Sequence, residues 1–149
     1  YAWFAQAKNA RLRAYPDKDA AKGDIQMRLQ GRSWRIRHFY LNRGYLSDIR
    51  YTLETADETI HAQVDVLAKT AGQRLPRIVV THPIAAELGT SSRWLKKRFT
   101  LTDRATDQVL GCIREPSVMA TRRELLIDLP GLEPPVAAFL GIVALIVRY

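Results

Sequence analysis

The stretch that decides the fold is Pro134-Pro135-Val136-Ala137-Ala138-Phe139-Leu140-Gly141-Ile142-Val143-Ala144-Leu145-Ile146-Val147, whose last 12 residues carry no polar side chain. A helix that is apolar on every side must be buried all round or lie in lipid. Twelve helical residues rise only about 18 Å, whereas a bilayer core about 30 Å thick needs roughly 20 residues. Proline is tolerated in the first helical turn, and Glu133 suits the positive end of the helix. Residues 134–147 are therefore predicted to form a helix that lies inside a small closed sheet.

Two alternatives stay open for this segment. The β-branched residues Ile142, Val143, Ile146 and Val147 would also suit a buried strand. A membrane anchor that continues into residues outside this sequence is the second alternative. A buried central helix is the interpretation that we favour.

The rest of the chain is dominated by strand-like patterns, in which apolar residues alternate with a period of two. The predicted strands lie at 24–30, 33–41, 51–54, 60–66, 77–81, 98–102, 109–114 and 123–129. Residues 84–88, in contrast, are predicted to form one helical turn. Short strands with frequent polar turns are typical of sandwiches and barrels.

Similar units of strand, polar turn and strand begin near Leu12, Tyr51 and Phe99. Their repetition suggests hairpins laid side by side around one core. A chain of 149 residues is also the size of one domain. We therefore predict a single domain, residues 1–149, that is mostly β and forms a closed antiparallel β-barrel around the buried C-terminal helix.

The charge is unevenly distributed along the chain, with 23 Lys and Arg against 15 Asp and Glu and a formal net charge of +8. The balance is +7 over residues 1–50, −2 over 51–92, +5 over 93–123 and −2 over 124–149. Charge runs usually mark solvated faces, and this is the simpler interpretation. If the fold brings both basic stretches together, one face carries most of the positive charge and points to an anionic partner.

Candidate catalytic and metal-ligating residues are few. The single cysteine, Cys112, excludes a disulfide within the chain and is predicted to be a buried, inert thiol. His38, His61 and His82 lack the spacing of a metal site. The sequence contains no nucleophile elbow and no phosphate-binding glycine loop. We therefore predict no catalytic residues, no metal, no cofactor and no enzymatic activity.

Three clusters of basic residues are the only sequence features that indicate a binding chemistry. Arg35 and Arg37 alternate with Trp34 and Ile36 and are therefore predicted to point away from the core. Arginine offers a bidentate fork for phosphate, and lysine a mobile point charge. The candidate anion-binding and lipid-binding residues are Arg35, Arg37, Lys96, Lys97, Arg98, Arg122 and Arg123.

The C-terminal part of the chain resembles the Tubby-like barrel superfamily, in its phospholipid-scramblase and LURP-one-related branch. The resemblance covers residues 93–149. It rests on a basic-aromatic start at 94–99, a polar turn, the return strand Leu110-Gly111-Cys112-Ile113, a last strand at 122–129 and the apolar helix. It implies a closed barrel around a central helix, with binding of phosphoinositides and association with membranes. Some family members bind calcium, but this sequence contains no EF-hand loop, since Asp17-Lys18-Asp19 is too short to form one.

The predicted function is non-enzymatic binding of phospholipids or phosphoinositides by a scramblase-like, membrane-associated domain that acts through a basic face. The predicted partner is an anionic phospholipid surface, and the predicted location is cytoplasmic with peripheral attachment to a membrane. One alternative is a structural scaffold subunit of a larger protein assembly, which the start at Tyr1 rather than Met would fit. An RNA- or DNA-binding module is a further alternative. It is less favoured because such modules stack bases on exposed aromatic residues, whereas the aromatic residues of this chain are expected to pack in the core or at its rim.

Overall fold

The computed structural model describes residues 3–7, 10–16, 24–42, 47–73, 76–90, 98–115 and 124–148, with the backbone alone described for 3–7, 10–16, 124 and 148. These residues form strands and one helix, α1, at Pro134–Arg148. The strands are β1 Trp3–Ala7, β2 Ala10–Pro16, β3 Ile25–Leu29, β4 Arg32–Tyr40, β5 Ile49–Glu54, β6 Ile60–Leu67, β7 Arg77–His82, β8 Ala86–Thr90, β9 Arg98–Asp103, β10 Val109–Arg114 and β11 Glu124–Asp128. The prediction of a mostly β chain with a C-terminal helix is confirmed.

The sheet is a meander in which the nine strands from β3 to β11 form eight successive antiparallel pairs. The strands β1 and β2 pair with each other as a hairpin, which lies beside the two edge strands of this meander, β3 and β11. Here β2 pairs antiparallel with β3, and β1 pairs parallel with β11. The β1–β11 pair departs from the expectation that all pairs are antiparallel.

Residues 84–88 do not form the predicted helical turn, because the second half of this segment belongs to β8. This strand pairs with β7 on one side and β9 on the other. Its side chains follow the strand period, with Ala86 and Leu88 buried and Glu87 on the outer face. Glu87 forms an ion pair with Arg77 of β7 across the outer face.

The start of β6 also departs from prediction, because Ile60 is 46% exposed instead of buried. Leu53 lies opposite Ala62 and Glu54 lies opposite Ile60, which leaves His61 as an extra residue. This β-bulge changes the face on which the preceding residue lies. Ile60 therefore shares the outer face with Glu54, and the inward alternation begins at Ala62.

The helix α1 is buried from Val136 to Leu145 without a solvent-facing side, as predicted for a central helix. It lies against β5 and β6 and against β1 and β11. The approach to β11 is close, since a Cβ at Gly141 would lie 2.8 Å from Cδ1 of Ile127. The alternative of a buried strand is wrong. Among the described residues, no helix has the length and hydropathy needed to cross a membrane.

The return strand β10 contains a second bulge, between Val109 and Gly111. Gly111 has a φ of 154°, and a Cβ there would lie 2.1 Å from the carbonyl oxygen of Asp128 on β11. No side chain can occupy that space, so the pairing of β10 with β11 requires glycine at this position.

Candidate anion-binding site

Arg35 and Arg37 lie on the outer face of β4, as predicted from their alternation with Trp34 and Ile36. Both of these apolar side chains are buried in the core. The side chain of Arg35 is exposed, and that of Arg37 is half-buried. The prediction that both arginines point away from the core is confirmed.

Arg37 has a partner on the neighbouring strand. Its Nη1 atom lies 3.5 Å from Oε2 of Glu54, whose side chain is 6% exposed. The Thr52 hydroxyl donates a hydrogen bond of 3.0 Å to Oε1 of the same carboxylate. Because a buried carboxylate requires a compensating cation, Arg37 is held by Glu54 and is not freely available to an external anion. Arg35 lies directly opposite Glu54 in the strand register.

Two further arginines on the outer face are also paired with carboxylates. Arg50 donates to both carboxylate oxygens of Asp65, at 2.7 and 2.9 Å. Arg77 donates to both oxygens of Glu87, at 2.9 and 2.8 Å. The hydrogen bond from Arg77 lowers the pKa of Glu87, and the hydrogen bond to Asp65 raises the pKa of Arg50. The arginines of these ion pairs on the outer face from β4 to β8 are thus engaged by neighbouring carboxylates.

A surface groove of about 340 Å³ crosses the outer face of β7, β8 and β9. Its charged lining residues are Arg77, Glu87, Asp103, Arg104 and Asp107. Two guanidinium groups therefore face three carboxylates, and one of the two is already bound to Glu87. This charge balance does not favour an anion in the groove.

Arg98 is in a different environment, at the end of the sheet where β9 and β11 begin and β10 ends. It lies directly opposite Arg114 in the pairing of β9 with β10. Both side chains are exposed, and neither forms an ion pair among the residues that the structure describes. We call this end of the sheet, marked by Arg98 and Arg114, the basic end.

The other four candidates lie outside the described residues. In the sequence, Lys96 and Lys97 directly precede Arg98 at the start of β9. Arg122 and Arg123 directly precede Glu124 at the start of β11. Both pairs of basic residues are therefore next in the chain to strands that begin at the basic end.

The described carboxylates at the basic end are buried or held by neighbouring groups. Asp24, which precedes β3, is buried with Oδ1 at 3.4 Å from Nδ1 of His38. Asp48, which precedes β5, accepts a hydrogen bond of 2.7 Å from the amide of Ala68. Glu115, which follows β10, is also buried. They leave Arg98, Arg114 and the exposed Lys69, which follows β6, as the dominant accessible charges.

The opposite end of the sheet, which we call the turn end, carries the turns after β3, β5 and β9 and the start of α1. Exposed or half-exposed carboxylates dominate its charge. They are Asp57, Glu58, Asp103, Asp107, Asp128 and Glu133. The described arginine and lysine side chains at this end are those of Arg28, Arg32 and Arg104. Among the described residues, the accessible charge is therefore mainly positive at the basic end and mainly negative at the turn end.

The structure does not bring the predicted residues onto one face. Arg35 and Arg37 lie on β4, whereas Arg98 lies on β9, with the four strands from β5 to β8 between them. The described candidates of the two basic stretches therefore lie in separate regions. One region is balanced by Glu54, and the other presents Arg98.

Sequence reasoning missed Arg114. A regular hairpin around the polar turn at 103–108 would place Ile113 opposite Arg98, and the bulge between Val109 and Gly111 shifts the register by one residue so that Arg114 lies there instead. The prediction that Cys112 is buried is wrong, since its thiol is half-exposed. The bulge at Gly111 places Cys112 opposite Thr100, on the outer face, while Ile113 enters the core.

The described residues contain no group of three or more His, Cys, Asp or Glu side chains that could hold a metal ion. In comparisons with known proteins, no family model, curated protein or solved structure matches this chain.

Proposed function

We propose that the chain forms a closed barrel of the Tubby-like type, in the scramblase and LURP-one-related branch, with α1 at its centre. Three observations support this proposal. α1 lacks a solvent-facing side, and it lies against β5–β6 and β1–β11, which are far apart in the strand order. In a meander of eleven strands that alternate in direction, the first and last strands run the same way. If the sheet closes, they must therefore pair in parallel, as β1 and β11 do.

The function that we propose for this fold is non-enzymatic binding of anionic phospholipid, phosphoinositides included, at the basic end. The observation that carries it is the exposed pair Arg98 and Arg114. Like charges directly opposite one another in a sheet are destabilising. An anionic group between the two guanidinium groups would relieve the repulsion, and phosphate matches their geometry.

The proposed site therefore consists of Arg98 and Arg114, together with the four basic residues that precede β9 and β11 in the sequence. Arg35 and Arg37 are omitted because the buried carboxylate of Glu54 already engages Arg37. Each basic group near an anionic leaflet contributes about 1 kcal/mol. The carboxylates of the turn end would be repelled by the same leaflet, so the charge distribution favours one orientation at the membrane.

Flotation with vesicles tests this proposal. The purified chain is mixed with neutral vesicles, with vesicles containing phosphatidylserine and with vesicles containing a phosphoinositide, at low and high salt. We expect binding to both anionic compositions, none to neutral vesicles, and weaker binding at high salt because of screening. Arg98→Glu/Arg114→Glu should weaken binding by at least about tenfold, from the loss of two contacts of about 1 kcal/mol each.

The matched control is Arg32→Glu/Arg104→Glu, which makes the same change of charge at the turn end. We expect it to bind anionic vesicles nearly as well as the unmodified chain, provided that both variants keep its thermal stability. Equal losses in the two variants would contradict a localised site. Binding to none of the three vesicle compositions would favour the scaffold alternative, and salt-sensitive binding to RNA alone would favour the nucleic-acid alternative.

A further inference from the structure

Three consecutive large apolar side chains are exposed where β4 ends. Phe39 is 39% exposed, Tyr40 is 67% exposed and Leu41 is 42% exposed. The other exposed large hydrophobic residues of the described chain are Ile60 and Val109, each alone at the start of a strand at the turn end. Single exposed residues are normal, whereas several exposed together at the end of one strand are a candidate interaction site. We call Phe39, Tyr40 and Leu41 the apolar tip.

The backbone of the apolar tip is held in place by hydrogen bonds. The amide of Leu41 donates to the carbonyl oxygen of Asp48, at 2.9 Å. The side chain of Asn42 accepts a hydrogen bond from the Asp48 amide at 2.9 Å and donates one to Asp48 Oδ2 at 3.2 Å. The other carboxylate oxygen of Asp48 binds the amide of Ala68 after β6. Because the tip is ordered in advance, little ordering entropy is lost when it binds a partner.

Ring contacts fix two of the exposed side chains. The guanidinium carbon of Arg37 lies 5.0 Å from the centroid of the Phe39 ring. The Tyr40 ring meets the His38 ring edge-on, with 5.7 Å between centroids. The tip therefore presents aromatic and aliphatic surface beside cationic and hydrogen-bonding groups. Amphipathic rings of this kind are enriched where proteins meet the headgroup region of a bilayer.

The apolar tip lies at the basic end of the sheet, because β4 ends at the end where β9 begins. In the strand order, β5 to β8 separate β4 from β9 on one side, and β3, β2, β1, β11 and β10 separate them on the other. The tip and the Arg98–Arg114 pair therefore occupy different sides of the same end. A flat surface that meets this end can contact both. The turn end, with its carboxylates, then points away from that surface.

From this arrangement we propose that the protein docks end-on to an anionic bilayer, with Phe39, Tyr40 and Leu41 inserted among the lipid headgroups. The inference rests on the proposed function, since Arg98 and Arg114 supply the electrostatic contact with the same surface. Charge complementarity favours a membrane as the occupant of the tip. The two contributions respond differently to salt, because screening weakens the ionic contacts and leaves the apolar insertion in place.

A fluorescent label tests the insertion directly. In a Cys112→Ser background, Leu41→Cys and, as the control, Thr106→Cys at the turn end are each labelled with an environment-sensitive dye. On addition of phosphatidylserine vesicles, we expect a blue shift and increased emission from the label at position 41 and no change at position 106. A label at 41 that stays in water while the protein is bound to vesicles would overturn the inference and leave the proposed function intact.

Two apolar substitutions give an independent test. Tyr40→Ser/Leu41→Ser should reduce affinity for anionic vesicles about tenfold and remove most of the binding that persists at high salt. The matched control, Ile60→Ser/Val109→Ser, removes exposed apolar side chains at the turn end and should bind as the unmodified chain does. Equal binding by both variants would overturn the insertion. Failure of the unmodified chain to bind anionic vesicles would instead overturn the proposed function together with the inference, as would a tip label that responds only to a protein or an RNA.

Discussion

The basic end and the turn end are built from the same strands but differ in how their polar groups are satisfied. At the turn end, carboxylates stabilise the turns: Asp103 accepts hydrogen bonds from the amides of Ala105 and Thr106, at 2.8 and 3.0 Å. At the basic end, Arg98 and Arg114 lie opposite one another without an ion pair among the described residues. The turn end is self-sufficient, whereas at the basic end an external anion would relieve the repulsion between the two arginines. An imbalance of this kind is a stronger sign of function than net charge alone.

The outer face of β4 to β6 also shows that the number of basic residues alone does not define a binding site. It also carries arginines, but Glu54 engages Arg37 and Asp65 engages Arg50. Ion pairs of this partly exposed kind contribute little to stability, yet they occupy the donors that phosphate would need. A basic residue is thus a candidate for binding only when the register leaves it without a carboxylate.

The largest effect is expected from Leu140→Asp in α1, whose course joins the two ends. Leu140 is inaccessible to solvent, and a buried unpaired carboxylate costs several kcal/mol. We expect the variant not to fold, measured by loss of the cooperative thermal transition. Ile146→Asp, at a half-buried position in the last turn of α1, should lower Tm without abolishing folding. A folded Leu140→Asp variant would contradict a helix enclosed on all sides.

A smaller but still large effect is expected from Gly111→Ala, where β10 leaves the turn end. The new Cβ would lie 2.1 Å from the Asp128 carbonyl oxygen, so β10 and β11 must separate locally. We expect a loss of about 2–4 kcal/mol in the free energy of unfolding, measured with urea. Gly89→Ala is the matched control, because a Cβ at Gly89 meets no atom within 4 Å. Its effect should be within about 0.5 kcal/mol, and similar losses at both sites would disprove the close approach.

Arg98→Glu is expected to change stability and binding in opposite directions. It replaces a pair of like charges on β9 and β10 by a pair of opposite charges, which should raise stability by about 0.2–1 kcal/mol. The same change removes a phosphate contact and should weaken binding to anionic vesicles. Thermal unfolding and flotation of the same preparation measure both. Lower stability together with unchanged binding would show that the arginine pair is structural.

The smallest effect concerns pH at the turn end. Hydrogen bonds from the amides of Thr106 and Ala105 lower the pKa of Asp103. Because the folded-state pKa is below the unfolded one, the carboxylate stabilises the fold above its ordinary pKa, and this stabilisation is lost as the pH falls through the lowered value. Asp103→Asn should therefore lower Tm slightly at pH 7. The difference in Tm between the variant and the unmodified chain should disappear on acidification. If it persists at low pH, the ionised Asp103 carboxylate is not its cause.

Local sequence patterns predicted most of the strands because the core selects a period of two. The alternation in β3 and β11 and the outward side chains of Arg35 and Arg37 followed from this rule. The rule failed at Ile60, where a bulge inserts His61, and at Cys112, where a bulge follows Val109. A bulge depends on the pairing of two strands and leaves little trace in either strand alone.

The candidate site was less predictable than the fold. Sequence alone indicated that Arg37 is exposed, but its contact with Glu54 depends on the register between β4 and β5. Arg114 became a candidate only when the hairpin register placed it opposite Arg98. The apolar tip was predicted as part of a strand, and its exposure depends on where β4 leaves the sheet.

Hydrogen–deuterium exchange with and without phosphatidylserine vesicles tests the central claim most directly, because it compares the two ends in one unmodified protein. We predict slower exchange on vesicle binding in peptides that cover Phe39–Asn42 and the start of β9 at Arg98. Peptides that cover the turns at 55–59 and 104–108 should exchange at unchanged rates. Protection of the turns, or equal protection of both ends, would contradict the account.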